Sequence, residues 1–157
     1  MICICFIKLM DIISGKRQEK SMKYILLPFV AWFLAGCTKF AVNYLRHGAQ
    51  AKRLIGYGGF PSTHTTVLSS VVFFAGFNEG FCTSVFSIGL GALLILIIDA
   101  HGLRRKVGKQ AEIINQLQEK IYGDKFYPMR ERMGHSWLEI AGGLFLGYCL
   151  GLFAYYL

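Results

Sequence analysis

Acidic side chains are scarce in this 157-residue chain: nine Asp and Glu face 17 Lys and Arg, and charged residues of both signs reach only 17%. Soluble domains carry about a quarter charged residues. The shortage argues against a free-standing soluble globule, and an apolar fraction of 54% argues against intrinsic disorder. Paired cysteines are missing too. Cys37, Cys82 and Cys149 stand alone in apolar runs, and only Cys3 and Cys5 are close in sequence. Neither a disulfide framework nor a zinc site is expected, and the cysteines read as small buried apolar residues. No repeat or low-complexity segment is present. What remains is an oily, basic chain with mean hydropathy +0.45 and formal charge +8. This fits a membrane protein with Lys and Arg in its cytoplasmic loops. It fits a nucleic-acid binder poorly, because the basic residues flank the apolar runs and the aromatics lie inside them.

A bilayer core takes about 20 apolar residues per helix. Residues 24–45 and 137–157 meet that requirement, and 83–98 is shorter but free of charge. The run 65–77 is too short to span comfortably and is expected as a short or partly buried helix, forming a hairpin with the next span through Asn78-Glu79-Gly80. The expected fold is all-α, an integral membrane bundle of about four helices over residues 22–157. The two polar loops, 46–64 and 99–135, then fall on one side and hold 11 of the 17 basic residues. The positive-inside rule puts that side in the cytoplasm, here of a bacterial inner membrane. Inside the second loop, Val107, Ala111, Ile114, Leu117 and Ile121 recur at helical spacing. They predict one amphipathic helix, lying on the membrane surface or packed on the bundle. Residues 1–21 fit less well. They place Lys8, Lys16, Arg17 and Lys20 on the opposite side, and they lack a signal-peptide cleavage site. They are expected to be an extension from a mis-assigned start, with translation beginning at Met22.

Ionisable groups at the edges of membrane spans are costly and mark function by default. Lys39 and Arg46, seven residues apart, share a helix face and make an anion site, unless Lys39 only snorkels to the interface and Arg46 only anchors. In the run from Gly56 to Thr65, Gly59 permits close approach to a ligand and Pro61 suits a first helical position. Ser62, Thr63 and the free amides of the following helix offer donors to a phosphate, and His64 offers a proton to a leaving oxygen. Asp99-Ala100-His101-Gly102-Leu103-Arg104-Arg105 follows a span directly. Its arginines suit bidentate phosphate contacts, or a stop signal that would leave Asp99 unexplained. His135 and Glu139 are four apart on one helix face. A carboxylate on one imidazole nitrogen leaves the other as a nucleophile. Gly143, Gly147 and Gly151 continue at four-residue steps, a stripe for close helix approach within one chain or against a second copy.

Lysine, six residues, arginine; then Pro-Ser-x-His; then His-x-x-x-acid: this order resembles the type-2 phosphatidic acid phosphatases and their vanadium haloperoxidase relatives. "GGFPSTHT", "DAHGLRRKVGKQAEIIN" and "GHSWLEIAGGLFLG" look like a divergent branch of that superfamily. The resemblance implies that Lys39, Arg46, Ser62 and the amide of Thr63 hold phosphate oxygens. It implies that His64 protonates the leaving alcohol, that His135 becomes a phosphohistidine and that Glu139 orients it, with no metal or other cofactor. The chain departs from the main family's pattern in four places. His47 stands where proline usually follows the first-motif arginine, and Thr63 where glycine or serine is common. Glu139 replaces aspartate. Met129 occupies the place of an arginine six residues before the nucleophile, and Arg104 or Arg105 is the preferred replacement over Arg130 and Arg132. The expected activity is hydrolysis of a lipid phosphomonoester or pyrophosphate, such as phosphatidylglycerophosphate, phosphatidate or polyprenyl diphosphate. The alternative is a non-catalytic membrane protein that binds anionic lipid headgroups or scaffolds partners.

Overall fold

The computed structural model describes residues 16–48, 59–123 and 126–157. Cys3, Cys5, Lys8, Lys52, Arg53, Gly56 and the first 15 residues of the expected N-terminal extension lie outside them. The described residues form an all-helical bundle: α1 (Lys16–His47), α2 (Thr63–Glu79), α3 (Ser84–Ile98), a π-helical turn (Asp99–Leu103), α4 (Arg104–Tyr122) and α5 (Trp137–Tyr156). Three helical stretches are long and apolar enough to cross a membrane: Glu19–Arg46, the continuous Ser84–Tyr122 and Trp137–Tyr156. The fourth expected membrane helix, α2, has 17 residues, about 25 Å at 1.5 Å per residue, against a hydrocarbon core of about 30 Å. It is the partly buried helix expected of so short a run, with one face enclosed at the centre of the bundle.

The reason is in the side chains. Thr65, Thr66, Ser69 and Ser70 of α2 are completely buried. They lie against the glycine stripe of α5. A Cβ on Gly143 would come within 2.7 Å of Ser62 O, one on Gly147 within 2.8 Å of Thr66 O, and one on Gly151 within 2.8 Å of Ser70 O. Small residues on both helices let the backbones approach and leave hydroxyls bonded locally, Thr66 Oγ1 donating to Ser62 O at 2.9 Å and Ser70 Oγ to Val67 O at 2.8 Å. The stripe is thus used within one chain. Helix α1 closes the other side with Leu27, Ala31 and Ala35, a four-residue repeat that is buried throughout. Tyr24 stacks edge-on against Phe74, with ring centroids 4.6 Å apart.

The far end of the bundle is tied where α2 turns into α3. Tyr24 Oη donates to Glu79 Oε1 at 2.8 Å and Lys20 Nζ to Asn78 O at 3.3 Å. Gly80 ends α2 at φ +101°, and Thr83 Oγ1 caps α3 by accepting from Phe86 N. Helix α1 passes through Met22 without a break.

Three expectations change. The described cysteines, Cys37, Cys82 and Cys149, are exposed rather than buried; their apolar setting is the surface that lipid covers, shared with Phe29, Ile88, Ile95 and Phe145. Pro61 is not the first residue of α2 but precedes the cap residue Ser62, because the helix starts at Thr63. In α4 the packed face is Gly108, Ala111 and Asn115. Val107, Ile114, Leu117 and Ile121 are exposed. The segment ahead of α5 lies on the glycine side of α4, where a Cβ at Gly108 would collide with Glu131 O.

Gly147→Ala is expected to lower stability by about 1–3 kcal/mol, the usual range for overpacking. Gly91→Ala, on a helix surface with open space around it, is expected to be neutral or to stabilise by up to about 1 kcal/mol. Thermal unfolding in detergent micelles checks both; equal effects would contradict the packing described.

Candidate active site

Four chain segments end at the same pole of the bundle: the C-terminal part of α1, the start of α2, the π turn with the start of α4, and the start of α5. Their meeting point is fixed by backbone bonds. Ser62 N donates to Glu139 O at 2.9 Å, and His135 N donates to Ala100 O at 3.0 Å. Gly134, at φ +86°, makes the second contact possible, since a Cβ there would sit 2.9 Å from Ala100 O and 2.5 Å from Arg105 Cγ. The π turn, with Arg104 N reaching back to Asp99 O, presents the Ala100 carbonyl to His135; such turns recur at functional sites. His101 completes the clamp. Its Nδ1 lies 3.2 Å from His135 O, and its ring lies over Trp137 at 4.3 Å between centroids.

Glu139 is held before it meets any ligand. Ser136 caps α5 in a capping box: Ser136 N donates to Glu139 Oε2 at 2.9 Å, and Glu139 N donates to Ser136 Oγ at 3.3 Å. The same Oε2 lies 3.1 Å from His135 Nδ1. With Nδ1–H donating to the carboxylate, Nε2 keeps its lone pair. His135 is 8% exposed. Burial pushes its pKa below the ordinary histidine value, the Glu139 carboxylate pulls it back up, and Lys39 and Arg104 add to the lowering. His64, the second residue of α2, is lowered as well. Partial desolvation comes first, followed by the charges of Arg104, His135 and Lys39, with Asp99 opposing.

His64 and His135 line one cavity of about 1450 Å³. Lys39, Arg104, Arg130 and Arg132 also line it, and no carboxylate does among the described residues. Asp99 instead accepts from Arg104 Nε at 2.7 Å, which directs that guanidinium. The rest of the cavity is an apolar groove between α1 and α2, reaching Pro28 on one side and Val71 on the other. From Lys39 to Pro28 is about 16 Å along α1, half a hydrocarbon core and so one leaflet deep. Phe29, Trp32 and Phe33 line the groove and are each over 60% exposed, so it opens sideways onto the lipid surface.

The sequence-derived site residues divide accordingly. Lys39, Thr63, His64, Arg104 and His135 share the cavity. Glu139 and Asp99 stand behind it as partners of His135 and Arg104. Ser62 does not line it: its hydroxyl is fully buried and accepts from Thr65 Oγ1 at 2.8 Å. Arg46 is exposed and outside the cavity wall. Arg105 is exposed, with its Cγ against Gly134. Gly59, at φ +144°, faces the side chain of Asn43, and Pro61 is buried behind the cap. Arg130 and Arg132, passed over in favour of Arg104 and Arg105, both reach the cavity. Among the described residues no three His, Cys, Asp or Glu side chains gather as a metal set.

Residues 20–150 match the profile of the divergent PAP2 family. The chain belongs to that family. It is 28% identical over 109 residues to the uncharacterized membrane protein YuiD of Bacillus subtilis (strain 168), covering 60% of this chain and 69% of YuiD. No solved structure matches it. This divergent PAP2 family protein is a helical membrane protein.

Glu139→Gln removes the one influence that raises His135, so His135 is expected to titrate lower still. NMR titration of the ring signals of His135 in micelles checks this. An unchanged or higher midpoint would mean that the carboxylate is not its partner.

Proposed function

We propose that this divergent PAP2 family protein is a membrane-embedded lipid phosphate phosphatase whose site faces the cytoplasm. The observation that carries the reading is the single cavity with two ends: two histidines among four cations at one, and a leaflet-deep apolar groove open to lipid at the other. A phosphate ester on a lipid fits both ends at once; a water-soluble phosphate uses only one. The basic residues of the loops favour the cytoplasmic side for that end.

In the proposed reaction the lipid phosphate lies between Lys39, Arg104 and the first amides of α2, which neutralise its oxygens and the charge that develops on them. His135 Nε2 attacks phosphorus as the bond to the lipid oxygen breaks, and His64 gives that oxygen a proton. The products of this half are the lipid alcohol, or the lipid monophosphate from a diphosphate, and a phosphohistidine. Water then attacks phosphorus, His64 takes its proton, the P–N bond breaks, and inorganic phosphate leaves with His135 restored. Glu139 holds the imidazole in one tautomer and balances its positive charge during the phosphohistidine stage.

Phosphate release from phosphatidate in mixed micelles tests the reading. His135→Ala is expected to lose at least about 10³-fold in kcat, and His64→Ala about 10²–10⁴-fold. Orthovanadate, which adopts the five-coordinate geometry of the reacting phosphorus, is expected to inhibit. Equal release by wild type and both variants, with lipid binding retained, would leave a headgroup-binding protein instead.

The pH profile has a worked sign. His135 must be neutral and His64 protonated. Both are lowered from 6.5 in the free protein, so both limbs of the kcat/KM bell move to the acid side of an unperturbed histidine pair. Bound phosphate favours the His64 imidazolium, so the alkaline limb of kcat lies higher than that of kcat/KM. A profile flat from pH 4 to 9 would refute the pairing.

A further inference from the structure

Resting on the phosphatase reading above, we infer that His101 is a positioning residue of the reaction: without touching the substrate, it holds the peptide of His135 so that Nε2 meets phosphorus. The sequence marks His101 only as part of the run from Asp99 to Arg105, and the proposed reaction leaves it without a task.

The nucleophile needs such a device because of where it lies in the chain. His135 belongs to no helix: Ser136 is the cap of α5, which begins at Trp137. The residue before it, Gly134 at φ +86°, is the most permissive kind of backbone. The bonds of α5 start one residue too late to help, with Ile140 N donating to Ser136 O and Glu139 N to Ser136 Oγ. Glu139 fixes the imidazole through Nδ1, but it does not fix the backbone from which the ring hangs.

The π turn supplies what α5 does not. His135 N donates to Ala100 O at 3.0 Å, and His101 Nδ1 lies 3.2 Å from His135 O. A carbonyl oxygen only accepts, so Nδ1 of His101 carries the proton and donates. The two bonds come from consecutive residues of one turn and grip His135 on both sides of its Cα, which sets its backbone angles. With Glu139 Oε2 as the third point, the nucleophile is held at its ring and at both neighbouring peptides. His135 is buried, and a buried carbonyl without a donor is costly. Losing the His101 N–H therefore drives residues 134–136 to shift toward another donor.

His101 is itself held. Its ring lies over Trp137, with centroids 4.3 Å apart and 30° between the planes, so the first residue of α5 aims the donor. His101 is not among the residues that line the cavity. Its effect falls on kcat, through placement: a 1 Å misplacement of a reacting group costs about 10²-fold.

The test uses the full chain in mixed micelles with phosphatidate, and measures kcat, KM and the Kd of the lipid. His101→Phe keeps an aromatic ring over Trp137 and removes the donor. It is expected to lower kcat by about 10- to 100-fold, with KM and Kd changed by less than about twofold. His101→Asn puts an amide N–H near the place of Nδ1 and is expected to recover most of that loss. Ring NMR in micelles reads the same placement without turnover. Neutral His101 is expected to be protonated at Nδ1. The His135 ring is expected to give one set of signals in wild type and in His101→Asn, and broadened or doubled signals in His101→Phe. The tautomer is read in wild type, so it decides the role even where His101→Phe fails to fold. A His101→Phe kcat equal to wild type, a loss that His101→Asn does not relieve, a loss carried by KM alone, or a His101 ring protonated only at Nε2 overturns the role. Absent phosphate release by wild type, with the His135 signals still perturbed in His101→Phe, would overturn the phosphatase reading and leave His101 as the residue that places His135.

Discussion

The close approach of α2 and α5 is the constraint on which the site depends. It is made by absence: glycines at 143, 147 and 151 remove the side chains that would hold α5 off the Thr and Ser face of α2. In lipid there is no hydrophobic gain from bringing two apolar helices together, so dispersion contacts at short range and local hydroxyl bonds must do it. Once the two backbones are in contact, Ser62 N reaches Glu139 O. That single bond joins the segment carrying His64 to the segment carrying His135, 71 positions apart in sequence. The imidazoles then share a wall without either helix having to bend toward the other.

A second layer of the construction runs along the π turn and α4. The motif from Asp99 to Asn115 reads in sequence as a string of polar and basic residues after a span. In the fold it is a rail, and residues 129–135 lie on it. Ala100 O and His101 hold the peptide of His135, Gly108 permits Glu131 to pass, and Asn115 holds Met129 at both its amide and its carbonyl. Asp99 aims Arg104 into the cavity from the same turn. The length of the motif is the length of the segment it supports, which explains why residues so far from the histidines belong to it. It also explains the apolar stripe of α4. Periodicity reports which residues are oily, whereas the packed face of this helix is chosen by the need for a small residue under a passing backbone.

Much of this was legible before any coordinates. The apolar runs give the helices because a bilayer permits little else, and the histidines, Lys39, Arg104 and Glu139 stood out as polar groups at the ends of those runs. The capping box at Ser136 and Glu139 is a local sequence signature, a serine followed three residues later by glutamate. Other parts could not be read locally. Ser62 looks like a phosphate donor because it sits in a polar helix start; only the contact with α5 shows that its hydroxyl is enclosed. Arg46 shares a helix face with Lys39, but Lys39 borders the groove and Arg46 stands exposed beyond the cavity wall. Choosing among Arg104, Arg105, Arg130 and Arg132 depends on how the π turn and the segment ahead of α5 converge, and charge patterning carries no information about that.

The scarcity of acids in the chain has a counterpart at the site. Among the described residues two carboxylates lie close to the cavity, and both are held: Asp99 by Arg104, and Glu139 by His135 and its own helix cap. A third, Glu131, is turned aside by Asn115. A free carboxylate on the cavity wall would repel a phosphate and neutralise a cation meant for it. A carboxylate behind the wall does the reverse, because it orients a cation or an imidazole while its own charge stays off the ligand's path. The wall is therefore positive without being uniformly basic in composition, and its field ends in a groove that only an apolar chain can fill. The amphiphile with a dense negative head proposed as substrate would satisfy both conditions, and that complementarity would come from where the few acids are held as much as from where the many bases lie.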